Sequence, residues 1–176
     1  MRSQQQEDTF AALAQDLGRK KKFRTPGEAA VLAILRSAAL LRRALAAHFE
    51  AAGMTMAQYN VLRVLRGAPE GLPTLQIRRR MLEEAAGITR LVDKLSADGL
   101  IERDRPASDR RKVLCRITRK GLELLQKHER EIDEAHAGLI GGLDAKEAAR
   151  LVELLLKVNQ CVREKRQASR IPSERE

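Results

Sequence analysis

The chain has 176 residues, a net charge of +10 and a pI near 10.2, enough for one domain with helical extensions and a sizeable core. Two cysteines, three histidines, one tyrosine and no tryptophan supply neither a disulfide framework nor a metal-ligand spacing, and little for acid–base catalysis or for stacking single-stranded bases. No run approaches the roughly 18 apolar residues of a membrane span, and the N-terminus lacks the apolar stretch of a signal peptide. The expectation is a soluble, cytoplasmic protein that is not an enzyme, carries no cofactor or metal and does not enter a membrane.

In chain order, residues 1–25 read as a basic, flexible extension. It is polar at first, has room for a short helical turn over 10–17, and ends in Arg19, Lys20, Lys21, Lys22 and Arg24. Thr25-Pro26-Gly27-Glu28 then reads as a helix start, with Thr25 as cap, Pro26 at the first position and Glu28 completing a capping box. The helix over 26–53 is apolar around much of its girth (Val31, Leu32, Ile34, Leu35, Ala38, Leu41, Leu45, Phe49). Such a helix wants burial on two sides, against its own domain and against another chain.

Residues 54–117 read as a winged helix-turn-helix. Thr55 and Gln58 open its first helix, which Gly67 to Gly71 break. LPTLQIRRRM, from 72, reads as a short helix, and the helix over 84–98 follows. Two β-like segments then flank the charged run from Asp104 to Lys112. Residues 72–120 hold 13 Lys or Arg against 7 Asp or Glu, a basic density suited to a polyphosphate, since each neutralised phosphate releases a counterion.

Within this module, Ile88, Leu91, Val92 and Leu95 share the core side of the 84–98 helix. That turns Ala86, Gly87, Thr89, Arg90, Asp93, Lys94 and Ala97 outward. Small Ala86 and Gly87 let the helix start approach base edges; Arg90 suits bidentate pairing with guanine and Lys94 a phosphate. Asp93, repulsive to phosphate, is expected to orient a neighbouring arginine. On the preceding helix Arg78, Arg79 and Arg80 spread round the axis, so that one or two of them, Arg78 and Arg79 foremost, meet backbone while the rest are solvated or paired with Glu83 or Glu84. Thr74 offers its hydroxyl to a phosphate. The hairpin tip, with Asp109, Arg110 and Arg111, suits a minor groove, where arginine senses width and potential.

Residues 118–163 read as C-terminal dimerisation helices. Thr118 caps the first, which runs to about Gly138 and stops at Gly141-Gly142; Asp144 and Glu147 open the second as a capping box. The stripe Leu151, Leu154, Leu155, Val158 and Val162 keeps helical spacing to about Arg163. Residues 164–176 read as a flexible charged tail. The fold class is therefore mainly α with a small β-hairpin wing, a winged helix-turn-helix domain between N- and C-terminal dimerisation helices.

GITRLVDKLSADGLIER (87–103), SDRRKVLCRIT (108–118) and MTMAQYNVL (54–62), in this order and spacing, resemble the MarR family of bacterial winged-helix regulators, and the similarity spans about 30–163. The resemblance implies a homodimer with interlocked terminal helices, bound to double-stranded DNA at a pseudo-palindrome. It implies Thr89 and Arg90 on the recognition helix and Arg111 in the minor groove, held by Asp109. It also implies repression relieved by a small-molecule effector, commonly phenolic or anionic, in a crevice here involving His48 and Tyr59. Many members begin the recognition helix with Ser-Thr where this chain has Ala86-Gly87, which shifts the weight of readout to Arg90, Lys94 and the wing. Neither Cys115 nor Cys161 matches the family's redox cysteine near the first helix. The alternative is a winged-helix module for protein interaction or for non-specific, architectural DNA binding without an effector.

Overall fold

A computed structural model of the chain describes residues 2–82, 87–104 and 113–169. Along the chain run α1 (Arg2–Asp16), α2 (Pro26–Ala51), α3 (Met56–Arg66), β1 (Leu72–Pro73), α4 (Thr74–Arg80), α5 (Ile88–Ala97), β2 (Ile101–Asp104), β3 (Leu114–Ile117), α6 (Arg119–Ile140) and α7 (Ala145–Ala168). They form two compact units, Met1–Ile132 and Asp133–Glu176. No helix among the described residues is long and apolar enough to cross a membrane.

The core of the first unit gathers one face of each winged-helix element. Val61, Leu62 and Leu65 of α3, Ile77 of α4, Val92 and Leu95 of α5, Ile101 of β2, Cys115 of β3 and Leu125 of α6 are buried together. Side chains of this size each contribute about 1.5–3 kcal/mol when fully removed from water, so this cluster holds α5 in place. A smaller cluster of Phe49, Met54 and Ile132 joins α2 to the α3 region and α6.

The sheet has the order β1-β3-β2, antiparallel throughout. Ile101 pairs with Ile117, Arg103 with Cys115 and Asp104 with Leu114, while Leu72 faces Cys115 from the other side. The sequence reads 72–81 as helix alone, but its first two residues form this edge strand. Pro73 is tolerated there because an edge needs no donor from it.

Helix starts follow the local chemistry. Thr55 and Gln58 form the full capping box, as do Asp144 and Glu147. Thr25 caps α2, accepting from the Glu28 N–H at 3.1 Å. Glu28, expected to complete that box, instead accepts from the Arg24 backbone N–H at 2.7 Å and from Arg19 Nη1 at 3.0 Å. Thr118 ties three elements together. Its N–H donates to the Leu100 carbonyl, its hydroxyl donates to the Gly99 carbonyl at 2.8 Å, and it accepts from the Gly121 N–H at 3.2 Å. Gly121 can be nothing larger, since a Cβ there would lie 2.3 Å from the Leu100 carbonyl oxygen.

Among the described residues, helix extends further toward both ends than the sequence suggests. In place of the flexible extension expected over 1–25 there is a helix of 15 residues, α1. Tertiary contacts supply the reason. Phe10 meets Phe23 edge-to-face at 6.0 Å, the Arg19 guanidinium lies 4.8 Å over the Phe23 ring, and Asp16 pairs with Arg36 of α2 at 3.0 Å. At the other end α7 continues to Ala168, beyond the expected stop near Arg163. A Gln160–Glu164 hydrogen bond one turn apart and Lys165 and Arg166 in the last turn favour the extra length.

Candidate nucleic-acid interface

The described residues that the sequence selects for DNA lie on α4, on α5 and at the start of α5, in the first unit. Ile88, Val92 and Leu95 are buried and Leu91 is half-buried, which leaves Thr89, Arg90, Asp93, Lys94 and Ala97 on the exposed face of α5. The helix begins at Gly87, whose φ of +86° lies in the left-handed region. A side chain there costs about 1–2 kcal/mol, so glycine is required by the entry of the chain as well as by any close approach to this helix end.

The exposed cations differ in their commitments. Lys94 pairs with Asp98 one turn on, at 3.3 Å. Arg90 has no ion-pair partner among the described residues. Asp93, expected to orient some neighbouring arginine that the sequence did not single out, pairs with Arg103 of β2, and Asp104 pairs across the hairpin with Arg116 of β3 at 2.8 Å. The first links β2 to the exposed face of α5, and the second links β2 to β3. Neither was legible in the sequence, because a pair ten or twelve residues apart depends on where β2 leaves α5. The alternation of Glu102, Arg103 and Asp104 was the available signal.

Arg78, Arg79 and Arg80 are exposed at the end of α4, whereas Ile77 between them and the turn is fully buried. Thr74, the first residue of α4, is half-buried, with its Oγ1 4.0 Å from the Cys115 Sγ. Its hydroxyl thus neighbours the central strand. Ala86, Asp109, Arg110 and Arg111, together with Glu83 and Glu84, lie outside the described residues. Of the two residues expected at an effector crevice, Tyr59 is half-buried with its ring 4.8 Å from that of Phe49, and His48 is exposed on α2. Cys115 is fully buried in the sheet and Cys161 is exposed on α7.

A family model described as MarR family matches residues 52–112, which run from the end of α2 to the hairpin. Among solved structures, a MarR transcription factor from Planctomyces limnophilus is 33% identical over 76% of this chain and 98% of that chain, with a TM-score of 0.58. The chain belongs to the MarR family. A mutant MarR from E. coli, complexed with operator DNA, is 28% identical over 71% of this chain and 89% of its own, with a TM-score of 0.64. CouR from Rhodococcus jostii, bound to p-coumaroyl-CoA, shares the fold at 22% identity and a TM-score of 0.66, over 77% of this chain and 95% of its own. The MarR fold, a mainly helical frame around a winged helix, is thus the architecture of this chain, and it is the fold of transcription regulators rather than of enzymes.

Proposed function

We propose that this MarR-family protein is a homodimeric, sequence-specific repressor that binds a pseudo-palindromic operator in double-stranded DNA and is released by a small-molecule effector, phenolic or anionic. One observation carries the reading. The exposed face of α5 presents Thr89, Arg90 and Lys94 beside a hairpin that the Asp93–Arg103 bridge fixes to the same helix. A helix with a wing beside it is what a major groove and the adjoining minor groove can accept together. In this reading Gly87, Ala86, Thr89 and Arg90 approach base edges, Lys94, Thr74, Arg78 and Arg79 serve the backbone, and Arg110 and Arg111, steadied by Asp109, enter the minor groove. The E. coli relative solved on operator DNA supports it.

The dimer reading rests on the apolar surface left uncovered by a single chain. Val31 and Leu35 on α2, and Leu154, Leu156 and Val162 on α7, are all exposed, and α7 has no buried residue. The effector reading rests on the family resemblance, with His48 and Tyr59 near its site. The cytoplasm is where such a regulator would meet its DNA.

The purified protein should select fragments of its source genome that share one short inverted repeat with half-sites about 10 base pairs apart. Unrelated fragments that dissociate at moderate salt would instead indicate a non-specific or protein-directed basic surface. Arg90→Ala should cost about 1–3 kcal/mol on the selected site and little on random DNA; an equal loss on both would assign Arg90 to phosphate and remove it from base readout.

A further inference from the structure

Residues 17–27, which join α1 to α2, hold five cations (Arg19, Lys20, Lys21, Lys22 and Arg24) and no acid. The loop is pinned on both sides of its lysines. After a left-handed turn at Gly18, the Arg19 N–H donates to the Ala14 carbonyl at 2.8 Å, and the Arg24 N–H donates to Glu28 at 2.7 Å. Phe23 lies against Phe10 and beneath the Arg19 guanidinium, which Glu28 holds at 3.0 Å. Arg19 is thereby committed within the fold. Lys20, Lys21 and Lys22 are exposed with no ion-pair partner among the described residues, and the Arg24 side chain is 90% exposed. Glu7 and Asp8 line the same cleft, and Asp8 accepts from Gln4 at 3.2 Å.

Position separates this loop from the winged module. Helix α2 is continuous, and it meets the module through Phe49 near its C-terminal end, about 36 Å along the axis from Thr25 at roughly 1.5 Å per residue. The chemistry of the loop selects the occupant. An acidic protein or an anionic bilayer would draw on an exposed apolar anchor, whereas Leu17 and Phe23 are both half-buried. Duplex DNA needs no such anchor, because neutralising its phosphates releases counterions whatever the sequence. We propose that the loop binds the phosphate backbone of a second DNA duplex, so that the protein seated on its operator bridges two DNA segments. This rests on the operator reading of α5.

Co-capture tests it. Bead-bound duplex carrying the selected inverted repeat is mixed with the full-length protein and a labelled duplex of random sequence at about 50 mM salt. A parallel bead carrying random duplex reads operator preference by itself, so loss of that preference, which would end the repressor reading, is seen apart from loss of capture. Wild-type protein should retain the labelled duplex. The triple variant Lys20→Gln, Lys21→Gln, Lys22→Gln changes only exposed side chains. It should retain about tenfold less, with operator affinity and helicity by circular dichroism unchanged, and Lys20→Arg, Lys21→Arg, Lys22→Arg should keep wild-type capture. No retention by wild-type protein, or equal retention by the glutamine variant, would overturn the proposal. An equal fall in operator affinity would place the loop on the operator itself, and capture of polyglutamate in preference to duplex would give it an acidic protein partner; either result removes the second duplex.

Discussion

The winged module and the terminal helices are built from the same aliphatic residues and treat them in opposite ways. In α3 and α5, Val61, Leu62, Leu65, Val92 and Leu95 are almost entirely removed from water; in α7 Leu156 keeps 60% of its surface, and Leu35 of α2 keeps 60% as well. The hydrophobic effect is indifferent to which element an aliphatic side chain comes from, so the difference lies in what faces it. One chain supplies every surface the winged core needs. It leaves the stripes of α2 and α7 uncovered, which is the surface the proposed second copy would bury.

The contrast can be broken from either side. Leu95→Ala should have the largest effect, about 3 kcal/mol of unfolding free energy read by urea titration, because it opens a cavity in a closed core; a loss below roughly 1 kcal/mol would mean that α5 is held by something else. The double change Leu154→Glu and Leu156→Glu should act differently. It should leave the winged module folded and yield a monomer by sedimentation, with weakened operator binding. A variant that sediments like wild type would show that these positions are not at a subunit interface.

Smaller effects sharpen the account of the binding face. Asp93→Asn removes the charge that holds Arg103, and since both groups are partly exposed the cost in stability should be at most about 0.5 kcal/mol. Operator affinity should fall more than stability if the hairpin must be braced, and a loss confined to stability would separate the bridge from binding. Smallest is the effect of acid on the N-terminal helix. The Glu28 carboxyl is held below the usual glutamate range, chiefly by the Arg24 backbone N–H and then by Arg19, against the opposing effect of desolvation. A lowered folded value means that this contribution is present above the unfolded value near 4.3 and is lost as pH falls through the folded one. Protection of α1 amides from hydrogen exchange should therefore decline in that acid window in the wild type and lose this component in Glu28→Gln. Identical pH profiles would remove Glu28 from the coupling.

Much of the fold was legible because its signals are local. The caps at Thr25, Thr55, Thr118 and Asp144 depend on residues within three positions of one another, and the core face of α5 follows from helical spacing alone. The candidate site was legible in the same measure: once Ile88, Val92 and Leu95 must point inward, Arg90 and Lys94 must point outward. Partnerships across elements were not legible. Nothing in the run around Glu28 distinguishes the Thr25 N–H from the Arg24 N–H as its target, and the pairing of Asp93 with Arg103 requires the angle at which β2 departs from α5.

Sequence by itself determined most element types and starts, the family and the outward face of α5, since each follows from periodicity, capping chemistry or a motif with fixed spacing. Tertiary structure decided the rest. It made Leu72 and Pro73 an edge strand, by offering them the free side of β3, and it gave Thr74 a place against Cys115. It turned an expected flexible arm into α1, because Phe23, Arg19 and Arg36 are brought within reach of Phe10 and Asp16. A short polar helix is marginal alone in water, and only contacts from distant parts of the chain can offset the entropy of ordering it.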